Sequence, residues 1–290
     1  MTWVSIFLIH PDIPTRVGVA IVGDSPVVFS FDPVRLTMTG IRIPRDVSAD
    51  VTRGYGTYPI SSVWKLDNID KRRGKVYMET LEETLGVSIR FYIEPRKNNG
   101  TSDMGQEIGN ALSFPTFFGS LVDKNRSNIP PWLFFTISRA YQRMAPSDVI
   151  FFDLSDSSVF VTSMLADGSE GTMIDPGKLG ILLGTHVEDT QIRKENLRIT
   201  VYNSTESPGL AQKATRILER LGLHVSSIAN RDDVHPSQCI LQGSKSNLTS
   251  KTTKALQWLY GCTLEEDEDA SQSDIMFILG TDFEKRFLPS

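Results

Sequence analysis

The sequence predicts a mixed α/β (α+β) chain in two domains, an N-terminal α/β unit over 1–190 and a C-terminal βαββαβ sandwich of ferredoxin-like order over 196–290. Two observations carry this expectation. The chain has 290 residues, more than one core usually holds, and 40% of them are hydrophobic, enough to fill two. Leu197–Ala229 reads as strand, turn, amphipathic helix and strand in immediate succession. Leu197, Ile199 and Val201 alternate with polar neighbours, and Leu210, Ala214, Ile217, Leu218 and Leu221 share a helical face that Gly222 ends.

From the N-terminus, Trp3–Ile9 is an apolar run too short to span a bilayer and lacking a basic leader, so it reads as a first strand. Val17–Val22, Val27–Phe31 and Leu36–Ile43 are apolar and β-branched runs, separated by Gly23-Asp24-Ser25-Pro26 and Asp32-Pro33, which predicts two successive hairpins. Val47–Pro59 reads as a loop. Helices are expected over Ser61–Ile69 and Val76–Leu85, then a strand over Val87–Ile93. Pro95–Ser127 reads as a long loop with a packed turn at Phe114, Phe117 and Phe118. A helix follows to Met144, with strands over Asp148–Leu154 and Ser158–Leu165, a short helix over Asp175–Gly184, and a charged connector over Val187–Asn196.

In the C-terminal half, Ser207 and Pro208 have the chemistry of an N-cap and first helical residue. Strands are expected at Leu223–Ala229, Gln238–Gln242 and Ile275–Leu279, and a helix at Leu248–Tyr260. Glu265–Asp269 reads as a solvated acidic loop.

A net charge of −5 offers no general attraction to nucleic acid, and no helix-turn-helix pattern is present, which argues against a DNA-binding regulator. No apolar run is long enough for a membrane span, and no signal peptide is recognisable. His10, His186, His224 and His235 stand in no nucleophile motif. Cys239 and Cys262 are too few for a disulfide scaffold and read as two buried thiols, with a single disulfide as the alternative.

The pieces Leu197–Asn203, Gly209-Leu210-Ala211, Leu221–Val225, Cys239–Leu241 and Ile275–Asp282 together resemble the LytR C-terminal domain, which follows the catalytic module in many LytR-CpsA-Psr envelope proteins of bacteria. Val17–Asp46, ending in Pro44-Arg45-Asp46, and Glu79–Ile93, carrying T-x-E-x-x-x-G-x-x-I, resemble the opening of that module. The resemblance implies transfer of a glycopolymer from a polyprenyl-pyrophosphate carrier to peptidoglycan, with arginines on the pyrophosphate and aspartates on Mg2+. Arginine forks and a divalent cation neutralise the charge that develops as a phosphate ester breaks.

This chain departs from the family pattern. Arg16 leads into Val17-Gly18-Val19 where the family has Arg-Ser-Asp-Thr, and the family's central arginine-rich segment is not visible. The departures favour a non-catalytic relative, a pseudoenzyme of the extracytoplasmic cell envelope that recognises a wall glycopolymer or polyprenyl-linked precursor. Its C-terminal domain is a small sandwich suited to contact with a protein partner or a polymer. Candidate ligand-binding residues are Arg45, Asp46, Arg53, Arg139 and Arg143, with the basic run Lys71–Lys75 adding charge and Tyr55, Tyr58 and Trp64 offering flat surfaces. The alternative is an active transferase whose metal ligands are rearranged onto Asp24, Asp46 and Asp50, requiring Mg2+.

Overall fold

The computed structural model describes residues 13–95, 103–165, 168–232, 236–267 and 273–286; the apolar run Trp3–Ile9 and His235 lie outside them. The N-terminal unit opens with β1 (Val17–Ile21), β2 (Val27–Asp32) and β3 (Thr37–Arg42), the two hairpins expected from the sequence, in register Val17 with Phe31 and Val27 with Arg42. The stretch read as a loop over Val47–Pro59 is instead a small hairpin of β4 (Ser48–Val51) and β5 (Gly56–Pro59). Helices α1 (Ile60–Ile69) and α2 (Lys75–Leu85) follow, then β6 (Phe91–Ile93) parallel to β1.

The region expected to be a long loop contains α3 (Met104–Ala111) and α4 (Phe114–Val122). Asp103 caps the first of these by accepting from the Gly105 and Gln106 amides. After α5 (Pro131–Tyr141), β7 (Val149–Asp153) pairs parallel with β3, and β8 (Phe160–Met164) and β9 (Glu170–Ile174) form a separate hairpin. Helix α6 (Pro176–Leu183) precedes α7 (Thr190–Glu195), which occupies what the sequence suggested was a connector.

The five-stranded sheet runs β6-β1-β2-β3-β7 and is covered on both faces. Val19, Ile21, Phe29 and Phe31 pack with Ile108, Leu133 and Ile137, while Ala20, Val28 and Ile41 pack on the other side with Val63, Tyr77 and Leu81. Two buried faces explain why these strands read as continuous apolar runs rather than as alternating ones.

The C-terminal unit comprises β10 (Arg198–Asn203), α8 (Leu210–Leu221), β11 (His224–Asn230), β12 (Ile240–Gly243), α9 (Lys245–Leu248), α10 (Lys251–Tyr260), β13 (Thr263–Glu266), β14 (Ile275–Leu279) and α11 (Thr281–Glu284). The mixed α/β class holds, with one strand more than expected and a different strand order, β11-β10-β14-β12-β13. β10 and β11 are adjacent and parallel, as are β12 and β13, so the two βαβ units are side by side and not split; β14 runs between them. The added strand Thr263–Glu266 has all four residues exposed, and its acidic edge, which disguised it as a loop, also discourages pairing with another chain.

The cap of α8 is Gly209 at φ 79°, not Ser207, whose hydroxyl donates instead to Glu284 at 3.0 Å. Cys239 and Cys262 form a disulfide, not two thiols. Their Cα atoms lie 4.6 Å apart at the starts of neighbouring segments, a proximity invisible along the sequence.

Glu195, at the end of α7, caps α10 by accepting from the Lys251 and Thr252 amides at 2.9 and 2.8 Å. Burial alone would push its carboxyl up, but the Thr252 and Lys251 amides take it below the ordinary glutamate range. Its stabilisation is therefore complete above the unfolded glutamate value and is lost as pH falls through the lower folded one. Glu195→Ala is expected to cost about 1 kcal/mol at neutral pH by urea unfolding, with the difference from wild type shrinking below about pH 4.

Candidate functional site

Strand polarity sorts the candidate residues before any side chain is considered. Arg45 and Asp46 follow the C-terminal end of β3, at the same end of the sheet as the β1–β2 turn that carries Asp24, and all three are exposed. Arg139 and Arg143 lie at the opposite end, beside the turn between β2 and β3. A six-residue strand spans about 20 Å. The two sets therefore do not converge on one phosphate.

Arg53 is withdrawn from any ligand. It sits at φ 66° after β4, is 8% exposed, and its guanidinium is held bidentately by Glu79 at 2.8 and 3.0 Å. Its amide donates to the Arg286 carbonyl, and Arg286 reaches Glu82 at 2.9 Å and Glu79 at 3.8 Å. The partner Glu79 lies 26 positions away, so no local signal marked the pair. Arg16 is likewise structural: it is 4% exposed, donates to Ser30 Oγ and Ser30 O at 2.9 Å each, and stands 3.5 Å from Asp32.

Other expectations resolve as packing. Trp64 lies edge-on to Tyr77 at 5.4 Å and against Tyr92 at 5.2 Å, so it belongs to the core and not to a sugar platform. The Tyr55 hydroxyl bonds Asp70, and Asp50 accepts from Thr57 at 2.6 Å. Among the described residues no three His, Cys, Asp or Glu side chains converge as a metal site, so the residues present do not assemble the rearranged Asp24, Asp46, Asp50 cage.

What does form a concave site is the far end of the sheet. A cavity of about 470 Å3 is walled by Phe31, Leu36, Phe135, Ala140 and Met144, with Arg139 and Arg143 at its rim and Asp148 nearby. Arg139 lies in the last turn of α5 and Arg143 two residues beyond the helix end; both are exposed and make no ion pair among the described residues. An apolar trough bearing two adjacent guanidinium forks suits an amphiphile with an anionic head. Phe135, half exposed at the rim, continues through Phe117 at 4.5 Å to the exposed Phe114 and Phe118 of α4.

Residues 196–283 match the family model described as LytR cell envelope-related transcriptional attenuator. The C-terminal unit is therefore similar to the LytR C-terminal domain. No curated protein matches the chain. Among solved structures, TagT bound to LIIa-WTA is similar at a TM-score of 0.40 and 13% identity, over 60% of this chain and 91% of that one. TagU of B. subtilis is similar at 0.38 and 11%, over 58% and 94%, and a transcriptional regulator from Enterococcus faecalis at 0.41 and 11%, over 74% and 92%.

The C-terminal unit is clamped to the N-terminal unit through the end of α2. Arg216 of α8 donates to the Glu83 carbonyl at 2.6 Å, Arg220 to the Leu85 carbonyl and, at 3.0 Å, to that of Pro176, and Lys213 pairs with Glu83 at 2.5 Å. These cations meet the unsatisfied carbonyls at a helix C-terminus, where positive charge is favoured. Burial beside Arg216 brings the Arg220 guanidinium down to about 10.

At the other end of α2, the basic run Lys71–Lys75 is held by one buried carboxylate. Asp67 accepts from the Gly74, Val76 and Tyr77 amides at 2.6, 2.7 and 3.2 Å. Burial pushes the Asp67 carboxyl up despite these three donors. Asp67→Ala would leave buried amides unpaired and is expected to lower stability by about 1–3 kcal/mol in urea unfolding, with Asp67→Asn recovering part of the loss.

Proposed function

We propose that this chain is a non-catalytic binding or scaffold protein of the cell envelope, a divergent LytR-CpsA-Psr relative that holds a polyprenyl-linked wall precursor without transferring its glycan. In this reading 1–190 is the divergent module and 196–290 the LytR C-terminal domain. The observation that carries it is the cavity between β2, β3 and α5, where an apolar trough meets the guanidinium groups of Arg139 and Arg143. A polyprenyl chain would lie against Phe31, Leu36 and Met144, and its phosphate would meet the two forks at the rim.

The dispersion of the other candidates supports holding over transfer. Phosphoryl transfer requires cations converging on bridging and terminal oxygens. Here Arg53 is locked to Glu79, and Arg45 with Asp46 stands at the opposite end of the sheet from Arg139 and Arg143. The family-model match over 196–283 supports the envelope setting. Among the described residues no helix is long and apolar enough to cross a membrane.

Sedimentation with vesicles containing polyprenyl phosphate tests the reading. Wild type is expected to bind saturably; Arg139→Ala/Arg143→Ala is expected to bind at least about tenfold more weakly, each lost charged hydrogen bond counting about 1.5–3 kcal/mol. Arg45→Ala is expected to bind as wild type. Magnesium-dependent turnover of a polyprenyl-pyrophosphate glycan, abolished by Arg45→Ala, would overturn the reading in favour of a transferase.

A further inference from the structure

A second cavity, of about 390 Å3, opens on the seam between the two units, with Arg72 and Arg73 from the loop before α2, Lys75 from the first residue of α2, Arg90 from the strand side, and Tyr260 and Arg286 from the C-terminal unit. Two carboxylates, Glu79 and Glu82, also line it, and both are engaged: Glu79 by Arg53, Glu82 by Arg286. Arg90 gives its donors to the uncharged carbonyls of Trp258 and Leu259 and makes no ion pair among the described residues. Arg73 and Lys75 are exposed and make none either. The cavity therefore carries an excess of positive charge in a chain whose net charge is −5.

The backbone that carries Arg73 and Lys75 is held in place. Lys71 and Arg73 both sit at φ 54° and Gly74 at 79°, a conformation that costs roughly 1 kcal/mol for each residue bearing a Cβ. It is sustained by Asp67, by the Arg72 amide donating to the Asp67 carbonyl at 3.0 Å, and by packing so close that a Cβ on Gly74 would lie 2.3 Å from the Tyr92 ring. A solvated basic loop would not need such a frame. With the backbone already set, only the side chains remain to be ordered when an anion binds.

We propose that this seam cavity is a binding site for a phosphate-bearing anion, either a pyrophosphate group or the phosphodiester of a glycopolymer. Guanidinium groups recognise either through paired N–H donors, and Lys75 adds a point charge. Because both units contribute walls, an occupant would also tighten the seam, so binding raises the unfolding temperature of the whole chain by mass action. This site is separate from the Arg139/Arg143 cavity, and its fate does not depend on the reading of that cavity.

The test is calorimetric titration of the full chain, in an Arg139→Ala/Arg143→Ala background so that the rim of the other cavity cannot contribute, with inorganic pyrophosphate in one arm and a glycerol-phosphate oligomer in the other. Saturable binding of either probe, weakened at least about tenfold by adding Arg73→Ala/Lys75→Ala and matched by a loss of the probe-induced rise in unfolding temperature, supports the site. Binding in the first arm alone assigns it to free or lipid-borne pyrophosphate, and in the second to the polymer. No binding of either probe, or binding that Arg73→Ala/Lys75→Ala leaves unchanged in a folded protein, overturns the proposal.

Discussion

The buried pair of Arg53 and Glu79 is the constraint on which much else depends. Two charges in a region 8% exposed are tolerable only when each is matched, and the match here is bidentate at 2.8 and 3.0 Å. Having taken Arg53 out of solvent, the fold must also accommodate Glu82, which burial pushes up while Arg286 pulls it down. Arg286 lies in the C-terminal unit, so the charge balance of α2 is completed only when the two units are together. An arginine that the sequence offered as a ligand residue is, in this chain, a structural one.

The same helix organises the rest of the seam. Its last carbonyls receive Arg216 and Arg220, and its first amides receive Asp67. Both ends of α2 are therefore closed by side chains, which ties the backbone of the preceding loop to the helix that contacts the C-terminal unit. At this seam arginine acts in three ways: as ion-pair partner, as donor to helix-end carbonyls, and, over the Trp258 ring at 4.7 Å for Arg90, as a stacked cation.

The parts of the fold that the sequence disclosed were those set by local chemistry. Apolar runs between Gly/Pro breaks marked β1 to β3, and the stops at Gly86, Gly222 and Gly261 fall where the helices end, all three at positive φ. What stayed hidden depends on partners distant in sequence. β4 and β5 are too short and polar to show a period, α3 follows a Gly/Asn-rich stretch, and β13 is a strand because β12 pairs with it, not because Thr263–Glu266 favours extension. The site was less legible than the fold. Arg45 and Asp46 form a recognisable motif whose setting the sequence could not supply, and Arg139 and Arg143 gained significance only once Phe31 and Leu36 were brought beside them.

Together these features describe a chain whose cations are divided between holding the structure and facing open cavities where the proposed ligands would sit. Arg53, Arg216, Arg220 and Arg286 hold; Arg139 and Arg143, and at the seam Arg73 and Lys75, face open cavities. The division is tested most directly by a double-mutant cycle of Arg53→Ala and Glu79→Ala in urea unfolding, with polyprenyl-phosphate vesicle binding measured on the same proteins. The account predicts a coupling of at least about 1.5 kcal/mol and unchanged binding by whatever fraction remains folded. Coupling near zero together with loss of binding on Arg53→Ala would contradict it, returning that arginine to the ligand.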